Sequence, residues 1–142
     1  MNKRPIKVLL AKAGMDNQNK EIRILARGLR EQGGMEVIYS GLYCSLEEIA
    51  ATALREAVDL VGLFVHNGSH LDLYPRLHEL LAAQNAGYIP PVFGGGLIPE
   101  RHRQELKAQG SATEIFGPGT STGSIIAWIN QVLAAGEGGE LL

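Results

Sequence analysis

Five short apolar runs alternate with five longer stretches whose apolar residues recur at helical spacing, and this alternation limits the fold more than any other feature. IKVLLAK (Ile6–Lys12), EVIYS (Glu36–Ser40), DLVGLFV (Asp59–Val65), the end of IPPVFGG (Ile89–Gly95) and ATEIF (Ala112–Phe116) read as strands. Helical stretches follow each of them: Lys20–Gln32, Leu46–Ala57, Leu71–Ala86, Pro99–Gln109 and Ser121–Ala135. Strands this short and this continuously apolar are buried on both faces. Strand–helix alternation produces a parallel sheet with helices on both sides. The expected fold is α/β and flavodoxin-like (Rossmann-like), five parallel strands in the order 2-1-3-4-5.

Local signals agree with these boundaries. Ile22, Leu25, Ala26 and Leu29 form one face of the first helix, and Gly33-Gly34 stops it. Ser45 and Glu48 stand at capping-box spacing before the second helix, where each side chain can satisfy the other residue's free amide. Pro90 and Pro91 precede the fourth strand, where a missing amide does no harm. The glycine-rich end GEGGELL predicts a disordered tail, so the domain is expected to span 1–135 and the tail 136–142.

Composition removes several classes of function. The chain has 142 residues, enough to bury one real core, and a net charge of −2 with no basic stripe, so neither nucleic acid nor an anionic membrane is an expected partner. A single cysteine, Cys44, excludes an internal disulfide or a multi-cysteine metal site and reads as a small buried hydrophobe. Neither a membrane span nor a signal-peptide pattern is visible, so a cytoplasmic location is expected.

In such a sheet, ligands bind where the loops leave the carboxyl ends of the strands. Those loops are AGMDNQNK, SGLYCS, HNGSH, GGGLIPE and GPGTSTG, and they hold half of the 18 glycines. Glycine lets backbone approach a ligand closely, so the set points to a flat or bulky ligand laid across that edge. No GxGxxG or GxxxxGK[ST] fingerprint occurs. Phe64-Val65-His66 and Phe116-Gly117-Pro118 lack the aspartate and lysine of a phosphoacceptor domain. His66 and His70 flank the third loop, yet no acidic or thiol set joins them, and a metal site is not expected there. No nucleophile–base pair can be named from spacing, for His78 and His102 as for the others.

With all five loops in view, residues 4–135 resemble the cobalamin-binding domain of adenosylcobalamin-dependent acyl-CoA mutases of the methylmalonyl-CoA mutase type, in its form as a separate small subunit. The resemblance lies in RPIKVLLAKAGMD (Arg4–Asp16), Val61-Gly62-Leu63, Gly95-Gly96-Leu97-Ile98-Pro99 and Ile115-Phe116-Gly117-Pro118-Gly119-Thr120. It implies cobalamin as cofactor, a large catalytic mutase subunit as partner, and no activity for this chain alone. Self-association is left open. In that family a DxHxxG motif after the first strand gives cobalt its lower histidine ligand and displaces the cofactor's own base. The nucleotide tail then enters a channel between sheet and helix, lined by the serine of an SxL motif and by a glycine pair.

Departures from this pattern fall along one path. DxHxxG reads Asp16-Asn17-Gln18-Asn19-Lys20-Glu21, so the aspartate stays while Gln18 replaces the cobalt ligand and Glu21 the closing glycine. SxL reads Phe64-Val65-His66. Gly95-Gly96 and the segment Phe116, Gly117, Gly119 and Thr120 stand unchanged. A carboxamide is a feeble cobalt donor beside an imidazole, and phenylalanine replaces a hydrogen bond with apolar volume at the channel mouth. Any bound cobalamin is therefore expected to be base-on, keeping its own benzimidazole. The rival reading is a degenerate regulatory or scaffold subunit that binds no cobalamin and uses the same loop edge for protein contact.

Overall fold

The computed structural model describes residues 5–12, 20–39, 45–65, 70–84, 88–95, 98–117 and 119–141, with the side chains of Glu21 and 135–141 left undescribed. Five strands form one parallel sheet: β1 (Lys7–Lys12), β2 (Glu36–Tyr39), β3 (Leu60–Phe64), β4 (Val92–Gly95) and β5 (Glu114–Phe116), in the order β2-β1-β3-β4-β5. The alternating helices are α1 (Lys20–Glu31), α2 (Leu46–Glu56), α3 (His70–Ala83), α4 (Glu100–Ala108) and α5 (Thr122–Leu141). This is the expected flavodoxin-like architecture, with element ends displaced by one to a few residues.

Alternation along the strands sorts the interior into two cores. Leu9, Ala11, Val61, Leu63 and Val92 face α2, α3 and α4. Val8, Leu10, Leu60, Phe64 and Phe93 face α1 and α5, where Ile22, Leu25, Ala26 and Leu29 supply the predicted apolar face of α1. Every residue of β3 is buried, as the central strand of a sheet covered on both faces must be.

Helix ends follow their sequence signals. The Ser45 amide donates to Glu48 Oε1 at 2.8 Å and the Glu48 amide to Ser45 Oγ at 3.1 Å, completing the capping box. Gly34 takes φ 64° after α1 and lets the Met35 amide return to the Leu29 carbonyl, while Ala57 takes φ 52° after α2. The main difference is α5, which continues through Leu141 beyond the expected end at Ala135. A helix already nucleated can extend through glycines at about 1 kcal/mol each, whereas a proline would have stopped it. Among the described residues no helix is long and apolar enough to cross a membrane.

Candidate functional site

One row of residues crosses the carboxyl end of the sheet. Lys12 pairs in register with Phe64, Phe64 with Gly95, and Gly95 with Phe116, so the row joins the ends of β1, β3, β4 and β5. Side-chain alternation turns the row toward α1 and α5. Above it lies a cleft of about 190 Å³, with Phe64, Gly95 and Phe116 as its floor. Ile24 and Leu25 of α1 form one wall, and the other is made by Gly117, Gly119, Thr120, Thr122 and Ile125 around the start of α5. Six of the residues expected at a ligand site, Phe64, Gly95, Phe116, Gly117, Gly119 and Thr120, thus meet in one cleft. Asp16, Gln18, His66, Gly96 and Cys44 lie outside the described residues.

Phe64 lines this cleft without filling it. Its ring stands edge-on to Phe93 at 6.3 Å, and Phe93 and Phe116 both pack edge-on against Trp128, at 5.8 and 5.4 Å. Such pairs contribute about 0.5–1.5 kcal/mol each beyond burial, so the floor is a fixed aromatic surface. An apolar cavity of about 150 Å³ takes a benzene-sized ring, whereas ligand pockets for larger molecules begin near 300 Å³. The part of the cleft bounded by described residues is thus close in volume to a single ring system.

The glycines at this edge have different physical causes. A Cβ on Gly94 would collide with the Tyr74 hydroxyl, and it would lie 2.7 Å from the Leu63 carbonyl. Tyr74 is buried and donates to that same carbonyl; burial pushes its phenol well above the usual tyrosine range, so it stays a donor. Gly94 thus serves the fold. At Gly95 a Cβ would meet Phe64 Cε2 at 3.0 Å, so the bare backbone leaves room for the aromatic floor. Gly119 takes φ 85°, and its turn is tied by Thr120 Oγ1 donating to the Gly117 carbonyl at 2.7 Å. Ser121 then caps α5 by accepting from the Ser124 amide at 3.1 Å.

Two features at this edge escape sequence reasoning. Lys12 is fully buried at the head of the row. An ammonium without solvent contact demands a compensating negative group, and the signal was there to read: an apolar strand ending in lysine, four residues before the only acid of its loop. The second is a histidine pair. His70, the first residue of α3, meets His102 of α4, with Nε2 and Nδ1 2.8 Å apart. One ring donates and the other accepts, so the contact does not survive protonation of both rings. Burial, then the neighbouring His102, lowers the His70 pKa below the ordinary histidine range. Among the described residues no third His, Cys, Asp or Glu joins them as a metal site.

A second groove of about 280 Å³, lined by Leu54, Val58, Leu81, Tyr88 and Pro90, lies at the opposite edge, where β3 and β4 begin. Ligands of open parallel sheets bind at the carboxyl edge, which is where the glycine row and the Gly117–Thr120 turn are found.

Residues 6–127 match the family model of the B12 binding domain. The chain is 36% identical over 135 residues to the 2-hydroxyisobutanoyl-CoA mutase small subunit of Aquincola tertiaricarbonis, covering 95% of this chain and 97% of that one. It is 35% identical over 129 residues to the pivalyl-CoA mutase small subunit of Xanthobacter autotrophicus, covering 91% and 84%. Among solved structures, a cobalamin-binding protein from Desulfitobacterium hafniense superposes with a TM-score of 0.72 at 20% identity, over 89% of this chain and 58% of that one. That last likeness concerns the fold.

Proposed function

This chain belongs to the B12-binding domain family, and on that premise we propose that it is the cobalamin-carrying small subunit of a coenzyme-A-ester mutase, working in the cytoplasm with a separate large catalytic subunit. The observation that carries the reading is the convergence of Phe64, Gly95, Phe116 and the Gly117–Thr120 turn on one cleft at the carboxyl edge of the sheet. Adenosylcobalamin, when bound, supplies a weak cobalt–carbon bond as the radical source. The chain's own contribution is to hold the corrin over a glycine-lined edge and to set what lies beneath cobalt.

The finer reading concerns that lower face. Position 18 offers a carboxamide, a poor cobalt donor. The cleft bounded by described residues is close in size to a single ring, with the Phe64 ring in its floor. Both features favour cobalamin that keeps its own benzimidazole on cobalt. Asp16 is the only acid of the loop after β1, and on this reading it has no histidine to orient. Gln18, His66 and Gly96 belong, on this reading, to the proposed corrinoid-binding set.

The test is retention. Purified protein is incubated with hydroxocobalamin or adenosylcobalamin and desalted, and the absorption spectrum is recorded. A stoichiometric, base-on corrinoid supports the reading. A colourless protein that still co-purifies with a large mutase subunit would instead make it a scaffold.

A further inference from the structure

We propose that Arg103 binds the phosphodiester of the corrinoid's nucleotide loop, an inference that rests on the cobalamin reading above. Arg103 lies in α4, and its guanidinium reaches Gly117 of the turn after β5. A Cβ built on Gly117 would stand 2.8 Å from Nη1 and 3.7 Å from Cζ. Gly117 is not among the glycines with positive φ, so its backbone does not require glycine. The missing side chain makes room for the guanidinium instead. Gly117 also lines the cleft, so the cation is seated directly behind the ligand-facing turn.

No described residue neutralises the charge at this seat. Arg27, Arg55 and Arg76 pair with Glu31, Glu56 and Glu47, and Lys107 of the same helix with Glu114. Nearby Glu100 accepts from Gln104. Among the described residues neither a carboxylate nor a hydrogen-bond acceptor engages the Arg103 guanidinium. Arg103 is partly buried, and taking an arginine partly out of water without a partner is unfavourable. A guanidinium fork fits two oxygens of a phosphate better than any neutral acceptor.

Cobalamin carries one anionic group. Its ring periphery bears amides, and its negative charge is the phosphodiester that joins the ring to the nucleotide. Arg103 stands on the α4 side of Gly117 and not among the residues of the cleft. It is therefore placed for a phosphodiester kept near the loop edge, as in a base-on corrinoid, rather than for one drawn down between α1 and α5.

The experiment compares cobalamin with cobinamide, which lacks the nucleotide loop, in wild type, Arg103→Gln and Arg103→Lys, by equilibrium titration of Trp128 emission and corrin absorption. Hydrogen bonds to charged groups contribute about 1.5–3 kcal/mol, which corresponds to roughly 10- to 150-fold in affinity. Wild type should prefer cobalamin over cobinamide by at least about ten-fold. Arg103→Gln should erase that preference by weakening cobalamin alone, with an unchanged melting curve. Arg103→Lys should keep part of it, with steeper salt dependence. Equal loss of both corrinoids, or loss of neither, overturns the assignment. So does binding of coenzyme A that is lost in Arg103→Gln while cobalamin is unaffected, since the phosphate would then belong to the thioester substrate. Failure of wild type to hold either corrinoid is a different result, which removes the cobalamin reading and this inference with it.

Discussion

Lys12 and Phe64 are Cα partners at the carboxyl ends of β1 and β3, both buried and both turned toward α1 and α5. A charged end of one strand is thus walled from the cleft by the aromatic end of the next. At the end of β3 this chain places a ring that packs on Phe93 and against the bare Gly95 backbone.

Removing that ring should extend the cleft toward Lys12 and destabilise the fold. Phe64→Ser is expected to cost about 3 kcal/mol, in the range for deleting a buried aromatic side chain, read from urea unfolding. Histidine ligation of cobalt should need three changes together: Gln18→His, Glu21→Gly and Phe64→Ser. Gln18→His alone supplies the imidazole and leaves the tail path narrow. A protein-nitrogen splitting in the cobalt(II) EPR spectrum of that single variant, with good affinity, would show that the cleft already admits the tail.

Gly94 and Gly95 should separate folding from binding. Gly94→Ala drives a methyl into Tyr74 and the Leu63 carbonyl and should destabilise by more than about 3 kcal/mol, as severe overpacking does. Tyr74→Phe should not rescue it, because the carbonyl at 2.7 Å remains. Gly95→Ala asks only that the Phe64 ring shift, so the fold should survive while corrinoid retention weakens. Gly95→Val, on a buried strand end, should abolish retention at a larger stability cost. Chemical denaturation and desalting with cobalamin read the two effects; equal stabilities for Gly94→Ala and Gly95→Ala would contradict the distinct roles given to these glycines.

These two glycines also mark how far the sequence could be read. Strand order, helix faces and the Ser45–Glu48 cap follow from periodicity and local chemistry, and the structure has all three. The carboxyl-edge cluster was legible because glycines gather after the strands. Which glycine backs onto the Phe64 ring and which onto Tyr74 depends on strand parity and on a side chain from α3, so no local pattern reveals it. The same holds for Arg103, for Lys12 beside Phe64, and for the His70–His102 contact, since each joins separate elements. The longer α5 reflects cooperative extension, which composition at the chain end does not express.

His70 should make the fold sensitive to mild acid. Its folded pKa is lowered from the ordinary 6.5, first by burial and then by His102. The unfolded chain therefore binds more protons as pH falls below about 6.5. Stability from this pair is complete above that pH and is lost on acidification toward the lowered native value. Urea midpoints between pH 7.5 and 5 should fall less steeply in His70→Asn than in wild type. Parallel curves would mean that the pair carries no linkage.

Trp128 is the only tryptophan and lies 5.4 Å from Phe116, a floor residue of the cleft. Corrinoid binding at this edge should quench its emission, saturating at the stoichiometry found by desalting. Binding at the opposite groove near Tyr88 should leave it largely unchanged.

The most direct measurement is the cobalt(II) EPR spectrum of cobalamin bound to nitrogen-15-labelled protein. The lower ligand should remain the cofactor's own base, with a nitrogen splitting that is indifferent to the protein label and unchanged in Gln18→Ala and His66→Ala. A splitting that follows the protein label, above all one that disappears in His66→Ala, would contradict a cobalamin carrier without a protein nitrogen on cobalt and make His66 the ligand.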